Sequence, residues 1–242
     1  MHILITMAGL GSRFRAKGYS VPKYQIEVRG RTLFSWSMES LRNFFPGNLT
    51  TFVVRKEDAP DAFIRQELLA FGVTEPVIIS LDALTDGQAT TVLLSLPTLR
   101  GRDAQAPLLI YNIDTFVEPH ALQPSDIRGD GWIPCFPGKG DAWSFFRTDA
   151  SGRVLEAKEK VRISDHASIG LYYFASLDIF EETYRAYFRD GLPDGLRERY
   201  VAPMYQDLIA RGRDLWVQEI PEGAVHPLGT PEEVDLFAAD GR

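Results

Sequence analysis

His2-Ile3-Leu4-Ile5-Thr6 enters Ala8-Gly9-Leu10-Gly11-Ser12-Arg13-Phe14, and the chain then reaches Val21-Pro22-Lys23. The apolar run predicts a buried strand. The Gly-x-Gly segment after it predicts a loop whose backbone approaches a ligand and aims N–H groups at it. Arg13 and Lys23 add positive charge within one short span, so the segment reads as a cradle for a polyanion. Two well-known phosphate loops do not fit. A dinucleotide fingerprint needs Gly-x-Gly-x-x-Gly, and Phe14 stands in the third glycine's place; the P-loop string Gly-x-x-x-x-Gly-Lys-Ser/Thr occurs nowhere in the chain.

Working outward, strands are expected near 2–7, 50–55, 76–80 and 107–111, alternating with helices near 32–45, 58–71 and 86–98. That alternation requires a mostly parallel sheet. Within 61–71, Ala62, Phe63, Leu68, Leu69 and Phe71 are expected to share the core face. The character changes after residue 129. Gly131–Phe136, Trp143–Arg147, Val154–Lys158 and Ser168–Phe174, with turns at Gly138-Lys-Gly-Asp and Ser151-Gly152, read as consecutive antiparallel strands. Helices near 176–190 and 199–212, a strand near 214–220 and a last helix beginning at Thr230 follow. Thr230-Pro231-Glu232-Glu233 supplies an N-cap, a proline at the first helical position and a capping-box glutamate. The expected fold class is α/β: a Rossmann-like mixed, mostly parallel sheet flanked by helices, with an antiparallel sheet built from the later strands.

Bulk properties narrow the chemistry. With 242 residues, 45% hydrophobic and 24% charged, the chain has the composition of an ordinary soluble globular protein able to bury a substantial core. No apolar run approaches the roughly 18 residues needed to span a bilayer, and no signal-peptide pattern opens the chain, so a cytoplasmic protein with no membrane partner is expected. A single cysteine, Cys135, excludes an intramolecular disulfide and a cysteine-cluster zinc site, and is expected to be buried packing. The histidines at 2, 120, 166 and 226 show no helical metal spacing. A net charge of −7 argues against nucleic acid, while a small anionic substrate drawn by a few focused cations is allowed.

Gly-x-Gly-Ser-Arg-Phe followed by the Pro22-Lys23 pair resembles the signature of the nucleotidyltransferases that make NDP-sugars and related CDP-alcohols. This group comprises sugar-phosphate nucleotidyltransferases and small cytidylyltransferases with a GT-A-like NTP transferase domain. The resemblance implies a single such domain over 1–242, with a nucleotide-binding half over about 1–128 and an acceptor-binding half over about 129–242. It implies that Ala8, Gly9, Leu10, Gly11 and Ser12 cradle the triphosphate with Arg13, and that Lys23 serves the α-phosphate region.

Three later stretches extend the resemblance. The run Leu108–Phe116 is a buried strand delivering Asn112 and Asp114 just past its apolar part, where strand ends of an open α/β sheet bind ligands. A carboxylate there suits Mg²⁺, and the family's metal aspartate corresponds to Asp114; a turn or helix-cap aspartate is the plainer alternative. Gly87, Gln88 and Ala89 match a segment that touches the nucleobase or sugar, although Asp86-Gly87 also reads as a simple helix start. Glu159-Lys160 followed by Gly170-x-Tyr172 matches an acceptor motif, with Lys160 on the acceptor phosphate and Glu159 on its hydroxyl or amine. The motif Asp-x-Gly-Thr-Pro-Glu is altered: Pro227 replaces the second metal aspartate, so either Asp114, substrate phosphates and water alone hold the Mg²⁺ or another residue such as His226 or Glu219 approaches it, His226 reading also as a pocket wall. Trp143, Phe145, His166, Tyr172 and Trp216 are candidate acceptor-pocket aromatics.

The activity implied is transfer of NMP from an NTP, with CTP, dTTP or UTP favoured, to a phosphorylated small molecule with release of pyrophosphate, serving bacterial surface polysaccharide synthesis. Asn112-Ile113-Asp114 also approximates the Asp-x-Asp of a GT-A glycosyltransferase using an NDP-sugar, and Pro227 admits a non-catalytic nucleotide-binding module. The nucleobase, the acceptor and the oligomeric state are left open by the sequence.

Overall fold

The computed structural model describes residues 1–240. Its strands are β1 (His2–Thr6), β2 (Glu27–Val28), β3 (Arg31–Thr32), β4 (Leu49–Arg55), β5 (Val77–Leu81), β6 (Leu108–Asn112), β7 (Thr115–Val117), β8 (Gly131–Pro137), β9 (Ser144–Thr148), β10 (Val154–Glu159), β11 (His166–Ser168), β12 (Leu171–Phe174), β13 (Leu215–Glu219) and β14 (Val225–Pro227). Its helices are α1 (Ser12–Ala16), α2 (Leu33–Ser40), α3 (Asp61–Leu68), α4 (Gln88–Asp103), α5 (Leu177–Tyr187), α6 (Tyr205–Ala210) and α7 (Pro231–Ala239).

One large mixed sheet runs β10-β9-β11-β8-β12-β6-β1-β4-β5, with β13 added parallel to β8. The expected fold class is the observed one. The β6-β1-β4-β5 portion is parallel, and β12, entering antiparallel to β6, begins the second portion. The sequence β1, β4, β5 proceeds in one direction across the sheet, and β6 returns to the other side of β1. Their carboxyl ends therefore diverge at a topological switch point, where such sheets bind ligands. The register sets Thr6 opposite Asn112, so the glycine loop and the Asp114 turn leave the sheet side by side.

Alternation along β1 explains the layers. Ile3 and Ile5 face α2 and α3 through Phe34, Met38, Ile64 and Leu68, whereas Leu4 faces α4, α5 and α6 through Val92, Leu96, Phe180 and Tyr205. Each such side chain is buried, which is worth about 1.5–3 kcal/mol apiece relative to exposure. Cys135 is buried in the second layer. A smaller cluster of Phe14, Leu33, Phe116, Leu228, Val234 and Phe237 seats α1 and α7 beside the carboxyl ends of the strands.

Two helix expectations are corrected. In α3, Ile64 and Leu68 carry the core face, while Leu69 is 64% exposed. The α-helix stops at Leu68 and tightens into a 3₁₀ turn closed by Gly72 in a left-handed conformation, which rotates residue 69 off the expected face. The helix expected from 199 starts only after a 3₁₀ turn at Ala202–Met204, because the Arg199 backbone bonds elsewhere.

Candidate active site

Each element at the switch point contributes a defined group. After β1, Met7 N–H still donates to Val53 O at 2.8 Å, and the chain then turns through Gly11, whose φ of +60° favours glycine. A Cβ on Gly11 would lie 3.4 Å from Lys23 Cβ, so the loop packs directly on the Pro-Lys segment. The aromatic ring of Phe14 is buried, and Lys23 Nζ lies 5.7 Å from its centre.

The turn after β6 is fastened from several sides. Tyr111 Oη donates to Thr115 O at 2.7 Å and hydrogen-bonds with Ser40 Oγ at 3.1 Å, and Ser40 Oγ accepts from Val117 N at 2.9 Å. On its other side β14 pairs with β7, and Leu228 N–H donates to Asp114 O at 2.7 Å. Asp114 thus projects from a braced turn, with Oδ2 3.7 Å from Lys23 Nζ. Burial draws the Lys23 ammonium below the ordinary lysine range, while the charges of Asp114 and Glu233 oppose that shift and Arg13 adds to it. Gln88, at the start of α4, spans the two strand ends: its Nε2 donates to Thr6 Oγ1 at 3.2 Å and to Asn112 Oδ1.

These groups border two adjoining cavities. The larger, about 550 Å³, is lined by residues 6–15, Lys23, Gly87, Gln88, Asn112, Asp114 and Tyr200 among others. The smaller, about 230 Å³, is lined by Trp143, Ser144, Glu159, Lys160, Gly170 and Tyr172 among others. Arg13, Gln88, Asn112, Asp114, Tyr200 and Gly229 belong to both walls. Within the smaller cavity Glu159 is almost fully enclosed; burial raises its carboxyl above the ordinary glutamate range, opposed by a hydrogen bond from Ser144 Oγ and by Lys160. Burial likewise raises Tyr172, which stays a neutral phenol.

No family model matches the chain. A nucleoside-diphosphate-sugar pyrophosphorylase from Vibrio cholerae RC9 is 34% identical and superposes with a TM-score of 0.90, over 98% of this chain and 100% of that one. The chain belongs to the nucleotidyltransferase family. An N-acetylmuramate alpha-1-phosphate uridylyltransferase of Caulobacter vibrioides is 27% identical across 99% of this nucleotidyltransferase and 95% of its own length. An inositol-1-phosphate CTP transferase from T. maritima, 14% identical, shares the fold with a TM-score of 0.75 over 99% of this chain and 96% of that one.

The structure of this nucleotidyltransferase brings Arg13, Lys23, Asp114 and Lys160 to the two connected cavities, together with Ala8–Ser12, Gly87, Gln88, Asn112, Glu159, Gly170 and Tyr172. Ala89 and His226 are placed elsewhere. Ala89 is fully buried, and its N–H is spent on Arg199 O at 2.8 Å. His226 sits behind the cavities, stacked on Phe116 at 5.2 Å and 3.6 Å from Glu118, because β14 must pair with β7. Glu219 is engaged by His166 at 3.1 Å, outside both linings, so it does not stand in for the missing aspartate. Of the five candidate aromatics, Trp143 and Tyr172 line the smaller cavity. Phe145 is core, and Trp216 instead packs under Arg128 at 4.0 Å.

The cavity walls also include residues that the sequence reading does not assign to the site, among them Tyr200, Ser144, Ser168 and Glu233. Glu233 caps α7 by accepting from Gly229 N at 2.8 Å and Thr230 N at 2.9 Å. A Cβ on Gly229 would sit 3.2 Å from Glu233 Oε2 and 3.7 Å from Asp114 Oδ2, so glycine keeps clear the ground between two carboxylates. Such hard oxygen donors fit Mg²⁺, which needs one or two carboxylates and completes its shell with water and phosphate. Among the described residues no cluster of three or more His, Cys, Asp or Glu side chains forms a closed metal cage.

Proposed function

We propose that this enzyme transfers a nucleoside monophosphate from a pyrimidine NTP to a sugar 1-phosphate or similar phosphorylated small molecule, releasing pyrophosphate. The observation that supports it best is the pair of adjoining cavities sharing Arg13 and Asp114, with Lys23 on the larger side and Lys160 on the smaller. Two separate anionic reactants need this arrangement. At about 4 Å and an effective dielectric near 20, each unlike pair of unit charges is worth about 4 kcal/mol and each like pair opposes by as much, so reactant repulsion must be offset locally.

In this reading the 8–12 backbone and Arg13 hold the β- and γ-phosphates, and Lys23 faces the α-phosphate. Gly87 and Gln88 border the nucleoside, and Lys160 holds the acceptor phosphate while Glu159 accepts hydrogen bonds from acceptor hydroxyls. An oxygen of the acceptor phosphate attacks the α-phosphorus, and the bond from that phosphorus to the pyrophosphate oxygen breaks. A phosphate dianion is already nucleophilic, so positioning and charge compensation carry the rate and no general base is required. Asp114, with Glu233 beside it, would hold Mg²⁺, which when bound neutralises charge on the triphosphate.

The acceptor class draws on the Caulobacter relative, whose name specifies a sugar α-1-phosphate, and on the hydroxyl-bearing groups Ser144, Ser168 and Tyr172 around the smaller cavity. A nucleotide-activated product of this kind supplies surface polysaccharide assembly. The test is a pyrophosphate-release screen of CTP, UTP, dTTP, ATP and GTP against sugar 1-phosphates, phospho-alcohols and phosphorylated amino-acid derivatives. Turnover confined to pyrimidine nucleotides with a sugar 1-phosphate is expected; a purine nucleotide as best donor would contradict the donor assignment.

A further inference from the structure

Residues 198–201 match no motif, yet they bridge the two cavities. The Arg199 backbone is tied to the start of α4: its N–H donates to Asp86 O at 2.8 Å, and its carbonyl accepts from Ala89 N at 2.8 Å. Gly87 permits this approach. With φ at +148°, it lies so close that a Cβ there would sit 2.4 Å from Arg199 N and 2.5 Å from Arg199 O. The Arg199 side chain adds a hydrogen bond to Tyr184 Oη at 2.6 Å and an ion pair with Asp86 at 3.2 Å. The segment is therefore fixed to the loop that borders the larger cavity.

The next residue, Tyr200, stands in the wall common to both cavities. Lys160 Nζ donates to Tyr200 Oη at 2.8 Å and lies 4.5 Å from the centre of its ring. Lys160 itself adopts φ +54°, a conformation uncommon for a residue with a side chain, and its N–H is held by Trp143 O at 2.9 Å. A rival partner is close: Glu159 Oε1 is 3.7 Å from the same ammonium. Without a second anchor, the flexible lysine stem has every electrostatic reason to fold onto that enclosed carboxylate.

We infer that Tyr200 is the positioning residue of the acceptor site, its hydroxyl and ring holding the Lys160 ammonium at the boundary of the two cavities, in a place fixed to the nucleotide loop through Arg199. The inference rests on the reading of Lys160 as the acceptor-phosphate cation. Its consequence is that the acceptor cation is set relative to the donor nucleotide through the backbone contact between the Gly87 loop and Arg199, with Tyr200 the next residue, in addition to the bond from Lys160 N–H to Trp143 O.

The test follows the Lys160 side chain directly, by NMR of protein labelled with ¹³Cε-lysine, the signal assigned by its loss in Lys160→Arg. Inorganic phosphate is the probe. In the wild type, phosphate shifts the Lys160 signal; in Tyr200→Phe, which keeps the ring, about tenfold more phosphate is needed, since a hydrogen bond to an ionised group is lost. Tyr200→Leu, lacking the ring as well, requires more again, and circular dichroism of both variants stays native. Gly87→Ala, by displacing the Arg199 backbone, moves the Lys160 signal before any phosphate is added. Equal phosphate affinity in the wild type and both Tyr200 variants overturns the inference and leaves the reading of Lys160 standing. An unmoved Lys160 signal in Gly87→Ala overturns the anchoring through Arg199. A wild-type signal indifferent to phosphate overturns the reading of Lys160, and this inference with it.

Discussion

Lys23 Nζ stands 3.7 Å from Asp114 Oδ2, a contact that joins the Pro22-Lys23 segment after α1 to the turn following β6. Both residues line the larger cavity, and in the proposed reading the pair meets charge on a bound triphosphate. Lys23→Ala and Asp114→Ala are each expected to lower turnover by about a hundredfold or more, the scale on which groups stabilising transition-state charge act. Circular dichroism and the unfolding midpoint report whether the fold persists; turnover near the wild-type rate would take the mutated residue out of the chemistry.

The bracing of Asp114 is separately testable. Tyr111 Oη is buried and bonded to Thr115 O and Ser40 Oγ. Tyr111→Phe is expected to cost about 1 kcal/mol of stability in urea unfolding, the net worth of such a bond. Because the turn loosens, the Mg²⁺ concentration giving half-maximal activity should rise. An unchanged metal requirement would show that this hydroxyl serves stability alone.

Gly170 adopts φ +81° against Asn112, where a Cβ would lie 2.8 Å from Asn112 Nδ2. Gly170→Ala is expected to destabilise the protein by about 1–3 kcal/mol through backbone strain and that clash. Asn112 accepts from Gln88, so the displacement should also raise KM for the nucleotide. Crystallography of the variant would settle the point, with an unmoved Asn112 and Gln88 the contrary result.

A pH prediction follows from Glu159. Burial holds its carboxyl above the ordinary value of 4.5. The native protein keeps this proton over a range where the unfolded chain has lost it, so stability falls as pH rises from 4.5 through the higher native value, then levels off. Glu159→Gln removes that loss, and the melting temperature of the variant should gain on the wild type across the window just above 4.5. Parallel melting curves at all pH values would contradict the assignment.

Much of this was legible in residue order because the signals are local. Alternation of short apolar runs with helical periods announced the parallel strands, and Thr230-Pro231-Glu232-Glu233 announced the start of α7, where Thr230 Oγ1 accepts from Glu233 N at 3.2 Å. What failed depended on pairing between distant segments. His226 is absent from both cavity linings and stacks on Phe116, on a three-residue β14 whose pairing with β7 is too short to leave a periodic trace. Ala89 sits under the wall because Arg199 takes its N–H, and the same bond costs the chain the helix expected from 199. Tyr200 was invisible for that reason: its place follows from the Gly87–Arg199 approach, which neither segment encodes alone.

The most direct measurement is the identity of the phosphorus-containing products when the purified enzyme meets an NTP, Mg²⁺ and a sugar 1-phosphate, read by ³¹P NMR. Equimolar pyrophosphate and a nucleoside-diphosphate-linked sugar are predicted, both lost in Lys23→Ala and Lys160→Ala. Release of free NDP from a supplied NDP-sugar, with no pyrophosphate from any NTP, would contradict the account.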